Sequence, residues 1–192
     1  ALTLISGCMI TLYASAADDI LISRDISYLK PESTTDEYAQ AQCKLDLYLP
    51  AKQEDPYPLL VWFHGGALKG GARTNSLSVQ LARSMAARGV GVAMADYRLS
   101  PTVKFPAYVE DAADAVRWTA ENAGRLNARS GIFVGGHSAG GYLAALLAMD
   151  GHYLKNAGVD ERNIAGFIPM SGQMTTHFTV AEEHGMSTNV IT

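Results

Sequence analysis

The chain is predicted to be an α/β protein with a mostly parallel sheet and helices on both faces. Three observations predict it. Short apolar runs recur at Leu59–Phe63, Val90–Ala95 and Ile132–Val134, as expected of strands buried on both faces, and Ile164–Met170 reads as a further strand. Segments of helical periodicity lie between them: Thr74–Arg88, Ala107–Ala123 and Tyr142–Met149. Strands that alternate with helices build parallel βαβ units.

At 192 residues the chain is one domain or most of one. A hydrophobic content of 48% is enough to bury a core. The net charge is −4 with no basic cluster, which argues against nucleic acid or an anionic membrane as a partner. No internal repeat or low-complexity tract is visible.

Taken in order, Ala1–Ala16 is almost free of charge and ends Ala14-Ser15-Ala16. That resembles the apolar core and Ala-x-Ala cleavage site of a secretory leader, and it sets the expectation of a secreted or periplasmic protein. The run is shorter than the roughly 20 apolar residues of a membrane span. A buried first helix or strand is the alternative. Ile5-Ser6-Gly7-Cys8 resembles a lipobox, but the apolar run continues past Cys8. The leader has no initiator Met and no positive leading segment, so the chain is expected to be truncated at its front, with residues 17–192 forming the domain. Cys8 and Cys43 offer no metal-ligand spacing, and Cys43 reads as a small core residue.

Ile20–Leu29 alternates weakly and is expected to be a first strand, followed by a polar turn at Pro31–Glu37. Ala39–Leu49 sets Leu45, Leu47 and Leu49 on one face and Lys44, Asp46 and Tyr48 on the other, the period of a half-buried strand. Pro50–Pro58 is a loop. The buried strand Leu59–Phe63 then runs into His64-Gly65-Gly66-Ala67, where a Gly pair lets the backbone turn and present N–H groups. Within Thr74–Arg88, Leu77, Leu81, Ala82 and Met85 are expected to face the core, and Gly89 ends the helix. In Ala107–Ala123 the buried face is expected to be Val109, Ala112, Ala113, Val116 and Ala120. Glu110, Asp111 and Asp114 favour the N-terminal dipole of that helix. Gly124 and Asn127 mark the next loop, Gly151–Arg162 reads as a polar connection, and Thr175–Gly185 as a loop and short helix near the cleft mouth.

The central stretch is Ile132-Phe133-Val134-Gly135-Gly136-His137-Ser138-Ala139-Gly140-Gly141, an apolar strand, a tight turn and a helix start. Ser138 stands at the turn in the pattern Gly-x-Ser-x-Gly, the nucleophile elbow of serine hydrolases. Gly136 and Gly140 leave room for two backbone segments to approach closely. The helix N-terminus that follows suits a developing negative charge, with the Ala139 N–H as one donor.

Four ordered pieces then resemble a family: His64-Gly65-Gly66-Ala67, Tyr97-Arg98-Leu99-Ser100-Pro101, Phe105-Pro106-Ala107 with Glu110-Asp111, and Gly136-His137-Ser138-Ala139-Gly140-Gly141. Over roughly Ala39–Gln173 the chain is similar to α/β-hydrolase carboxylesterases of the hormone-sensitive-lipase-like and feruloyl-esterase-like type. The resemblance implies an α/β-hydrolase fold, incomplete at the C-terminus. It implies Ser138 as nucleophile and Gly65, Gly66 and Ala139 as oxyanion-hole donors. It implies a small-molecule ester as substrate and calls for no metal or organic cofactor. Ala67 departs from the family's third glycine, and His137 stands where many lipase-like members have Asp. His64 is expected to brace the loop, and His137 to point away across the turn.

In this fold the triad runs Ser, acid, His along the chain. Only 22 residues follow Met170, too few for another strand–helix–strand unit of about 30. The acid and His are therefore expected beyond Thr192. His177 and His184, with Glu182 and Glu183 between them, are not read as substitutes, and a metal role lacks a third ligand. An amidase, formamidase or peptidase of the same fold stays open, as does a binding module if the chain ends at Thr192. The oligomeric state is left open.

Overall fold

The computed structural model describes residues 13–15, 19–30, 35–52, 54–129 and 131–188, with the backbone alone for 13–15. It shows a seven-stranded mixed sheet. In chain order the elements are β1 (Tyr13–Ser15), β2 (Ile20–Ser27), α1 (Glu37–Gln42), β3 (Lys44–Pro50), β4 (Leu59–Phe63), α2 (Ser76–Ala86), β5 (Gly91–Ala95), α3 (Ala107–Asn122), β6 (Ile132–His137), α4 (Ala139–Met149), α5 (His152–Ala157), β7 (Ile164–Met170) and α6 (Phe178–Glu183). A 3-10 turn at Glu161–Asn163 precedes β7. The strands lie in the order β1-β2-β3-β5-β4-β6-β7. β1, β2, β3 and β5 pair antiparallel in turn, whereas β5, β4, β6 and β7 run parallel.

Alternation along the strands splits the core in two. Leu47, Leu59, Val61, Phe63, Ala93 and Ala95 point to the face covered by α3 and α4. Tyr48, Leu60, Trp62, Val92 and Met94 point to the face covered by α2. Helices thus flank both faces, as the sequence predicts. The parallel strands bring the C-terminal ends of β4, β5 and β6 to one edge of the sheet, where the loops after them meet.

Four expectations need correction. Glu37–Gln42 is a helix, not the start of a strand, with Asp36 capping it by accepting from Tyr38 N–H at 2.9 Å. β3 is buried on both faces, because Leu45, Leu47 and Leu49 pack into the core shared with α3 while Tyr48 packs into the core under α2; Asp46 and Tyr48 are fully buried. α2 turns Ser78, Ala82 and Ala86 inward, and Leu77 is 77% exposed. The polar connection after α4 contains α5 and the 3-10 turn.

Residues 1–12 and 16 of the leader-like stretch lie outside the described residues, as does Pro31–Thr34 of the expected turn. Tyr13–Ser15 runs antiparallel to β2. Among the described residues no helix is long and apolar enough to cross a membrane. Burial pushes the Cys43 thiol up to about 12, helped by the nearby Asp111 carboxylate, so this cysteine stays a protonated core residue.

Candidate active site

Ser138 sits between the last residue of β6 and the first residue of α4, with φ 55° and ψ −117°. A non-glycine residue with that backbone is strained by about 1–3 kcal/mol, and such strain persists only where the surroundings hold it. Three things hold it here. The Ser138 N–H donates to the Met170 carbonyl at the end of β7 (2.9 Å), and the Ser138 carbonyl accepts from Tyr142 N–H in α4 (2.9 Å). The backbone is also packed too tightly for side chains. A Cβ on Gly136 would overlap the Gly140 carbonyl, and one on Gly140 would overlap the Phe63 carbonyl oxygen. α4 therefore starts at Ala139, earlier than its apolar run suggests, and its N-terminus abuts the end of β4.

The loop after β4 faces this turn. The Gly65 Cα is so near that an added Cβ would lie 3.1 Å from the Ser138 Cβ. Gly66 has φ 134°, a conformation closed to other residues. Gly65, Gly66, His137 and Ser138 line one cavity of about 500 Å³. Its apolar wall comes from Trp62, Leu77, Leu81 and Met170, and Asn75, Ser76 and Ser78 add polar groups from the start of α2. Among the described residues the N–H groups of Gly65, Gly66 and Ala139 donate to no carbonyl or side chain, and the Ser138 hydroxyl has no partner. The four residues singled out in the sequence are thus brought together. Ala67 takes φ 57° where a glycine would be free of strain.

The histidines sort by burial. His64 is 1% exposed; its ring stacks on Tyr97 with centroids 4.5 Å apart. Its Nδ1 lies 2.8 Å from the Gly65 carbonyl oxygen. Its Nε2 is 3.3 Å from Asp96 Oδ1, near enough for charge interaction but off the line of a hydrogen bond. The expectation of a loop brace fits this placement. His137 does not point away: it is exposed, lines the Ser138 cavity, and its ring edges Gly65. β6 extends to His137 and seats that side chain on the cavity side of the turn. His177 is buried at the N-terminus of α6, where its Nδ1 accepts from Thr179 N–H (3.2 Å) and its ring packs on Tyr142 and Phe178. His184 lines a separate apolar cavity of about 440 Å³ with Phe105, Tyr142 and Met149.

Behind the glycine loop lies an ion network that sequence reading missed. Arg73, 8% exposed, pairs through its guanidinium with Asp96, Asp25 and, at 2.9 Å, Asp46. Arg24 closes on Asp46 at 3.0 Å. Burial works against the Arg73 charge, yet hydrogen bonding to Asp46 and the neighbouring Asp96 outweigh it, so its pKa is raised. Burial also pushes the Asp96 carboxyl up, but the adjoining His64 ring and the hydrogen-bonded, charged Arg73 hold it below the ordinary range. A second pair is bidentate: Arg98 Nη2 and Nε reach Asp111 Oδ1 and Oδ2 at 2.7 and 2.9 Å. Asp111 is 2% exposed, so it is a tie from α3 to the end of β5 as well as a dipole charge. The available signal was the charged tripeptide Asp96-Tyr97-Arg98 directly after a buried strand. Among the described residues no group of His, Cys, Asp or Glu could hold a metal ion.

A strained serine at a strand-to-helix turn, on the C-terminal edge of a parallel sheet and opposite a glycine loop from the adjacent strand, defines an α/β-hydrolase. Residues 45–187 match the BD-FAE family model, and the chain belongs to the BD-FAE family. It is 37% identical over 103 residues to Carboxylesterase NlhH of Mycobacterium tuberculosis, covering 53% of this chain and 32% of that protein. Among solved structures it is similar to the hyperthermophilic esterase of the archaeon Pyrobaculum calidifontis, with a TM-score of 0.57, 34% identity, and coverage of 67% of this chain and 40% of that one. It is also similar to brefeldin A esterase, a bacterial homologue of human hormone-sensitive lipase, with a TM-score of 0.61, 30% identity, and coverage of 79% and 40%. The chain spans about a third of the length of the first curated relatives it matches.

Proposed function

We propose that this chain is the nucleophile-bearing part of a serine hydrolase that cleaves carboxylic esters through an acyl-enzyme on Ser138. The observation that carries the reading is the strained Ser138 facing Gly65 and Gly66 across the cavity. Ser138 Oγ attacks the ester carbonyl carbon and its proton passes to a general base. The carbonyl oxygen becomes an oxyanion and takes hydrogen bonds from the N–H groups of Gly65, Gly66 and Ala139. The positive end of α4 adds to this stabilisation. Collapse expels the alcohol, which takes the proton back from the base, and water then releases the acid.

His64 is buried against Asp96 and Gly65, and His177 against Tyr142. Among the described residues no histidine, the cavity-lining His137 included, hydrogen-bonds the Ser138 hydroxyl, so on this reading the base and its orienting acid belong to the rest of the full-length protein. Relatives about three times longer than the matched region support that arrangement. The leader-like Ala1–Ala16 supports export, and fractionation of cells expressing the full-length protein tests it.

The activity test is hydrolysis of a short-chain nitrophenyl ester by the full-length protein, with the corresponding anilide in parallel. Ser138→Ala is expected to abolish turnover, by a factor on the order of 10⁶ in kcat. Turnover retained in that variant would sink the assignment. Preference for the anilide would move it to an amidase.

A further inference from the structure

Every carbonyl of the loop from His64 to Leu68 has a partner, and the partners come from separate parts of the chain. The His64 carbonyl accepts from the Tyr97 hydroxyl at 2.9 Å. The Gly65 carbonyl meets His64 Nδ1 at 2.8 Å. The Gly66 carbonyl accepts from Lys69 and Gly70 N–H, both at 2.9 Å. The Ala67 carbonyl accepts from Thr179 Oγ1 in α6 at 2.6 Å, and the Leu68 carbonyl from Ser100 N–H at 2.8 Å.

A trans peptide is planar, and its N–H points opposite to its C=O. The peptide that carries the His64 carbonyl also carries the Gly65 N–H, and the one that carries the Gly65 carbonyl carries the Gly66 N–H. Pinning those two carbonyls therefore fixes the direction of those two N–H groups, which find no acceptor among the described residues and belong to residues that line the Ser138 cavity.

We infer that Tyr97 and His64 are positioning residues for the oxyanion hole, the phenol aiming the Gly65 N–H and the imidazole aiming the Gly66 N–H. The inference rests on the reading of Ser138 as nucleophile and of the glycines as donors. A carbonyl oxygen only accepts, so His64 carries a proton on Nδ1 in this contact. Its other nitrogen faces Asp96, which the Arg73 guanidinium and N–H hold in turn. Tyr97 is fully buried, and burial raises its pKa, so it remains a phenol able to donate. The two rings stack nearly parallel, at 13°, so neither can swing without displacing the other.

Tyr97→Phe in the full-length protein removes only the hydroxyl. The expected result is a kcat reduced by about 10-fold with KM unchanged, since a donor is misaimed and not deleted. Affinity for a trifluoromethyl ketone, whose adduct with Ser138 bears an oxyanion, falls by the same factor. Thr179→Val removes a buried hydroxyl from the same loop, but the peptide it holds carries the Leu68 N–H, so kcat stays within about twofold. His64→Asn keeps a donor near the Nδ1 position and retains more activity than His64→Leu; this pair carries the test if Tyr97→Phe melts below the assay temperature. Wild-type kcat and ketone affinity in Tyr97→Phe overturn the inference, as does an equal loss in Thr179→Val, which would mean general loosening of the loop. Fluorophosphonate labelling separates the levels. An unlabelled wild-type Ser138 sinks the nucleophile reading and the inference with it. A labelled Ser138 with an unaffected Tyr97→Phe sinks the inference alone.

Discussion

Asp96 is 4% exposed at the end of β5, between the His64 ring and the Arg73 guanidinium. Burial alone would raise its pKa, but the adjoining His64 ring and the hydrogen-bonded Arg73 cation bring it below the ordinary 3.8. A carboxyl with a depressed folded pKa contributes stability above its unfolded pKa, and that stability is lost as pH falls through the folded value. Removing one member of a buried ion pair leaves the other uncompensated. Asp96→Asn is therefore expected to cost about 3 kcal/mol at pH 7, with a smaller difference from wild type by pH 3, as read by urea midpoints. Parallel pH profiles for the two proteins would contradict the role given to this carboxyl. At the residue scale a local motif marks Ser138, Gly65, Gly66 and Ala139 in the sequence, and the structure sets Ser138 opposite the two glycines. No such motif marks Arg73, Asp46 or Asp96. Those three stand apart in sequence and meet only because β3, β5 and the glycine loop converge.

At the scale of elements, β4 and β7 are found at the bounds their apolar runs predict, although only β4 is buried throughout, while β7 is an edge strand whose side chains stay partly or fully exposed. α1 is hidden in the sequence because Ala39–Gln42, which are good helix formers, run directly into the alternation of Leu45, Leu47 and Leu49. α2 is found, with a buried face that differs in part. Ala82 faces inward as expected and Leu81 and Met85 pack partly buried against the core, but Ser78 and Ala86 complete the buried face and Leu77 is exposed. Small side chains let this helix lie close to the sheet. α4 gives the sharpest prediction at this scale. Gly→Ala inside a helix ordinarily stabilises by about 0.5–1 kcal/mol. At Gly140 the added methyl meets the Phe63 carbonyl and has nowhere to move. Gly140→Ala is expected to lower the thermal midpoint by several degrees and to slow labelling of Ser138. A raised midpoint would show that the contact between α4 and β4 is looser than described.

Over the whole molecule, the parallel half of the sheet gathers the functional loops at one edge, and the antiparallel half supplies the charged groups that brace them. Ser138 comes from β6, Gly65 and Gly66 follow β4, and Tyr97 and Asp96 follow β5. They are spread over the 74 residues from Gly65 to Ser138. This is why the motifs were legible and their supports were not. The most direct measurement is reaction of the full-length protein with a fluorophosphonate, followed by mass mapping of the modified peptide. The predicted result is a single adduct on Ser138, absent from Ser138→Ala. Ester hydrolysis with no adduct at Ser138, or with undiminished turnover in Ser138→Ala, would contradict the account.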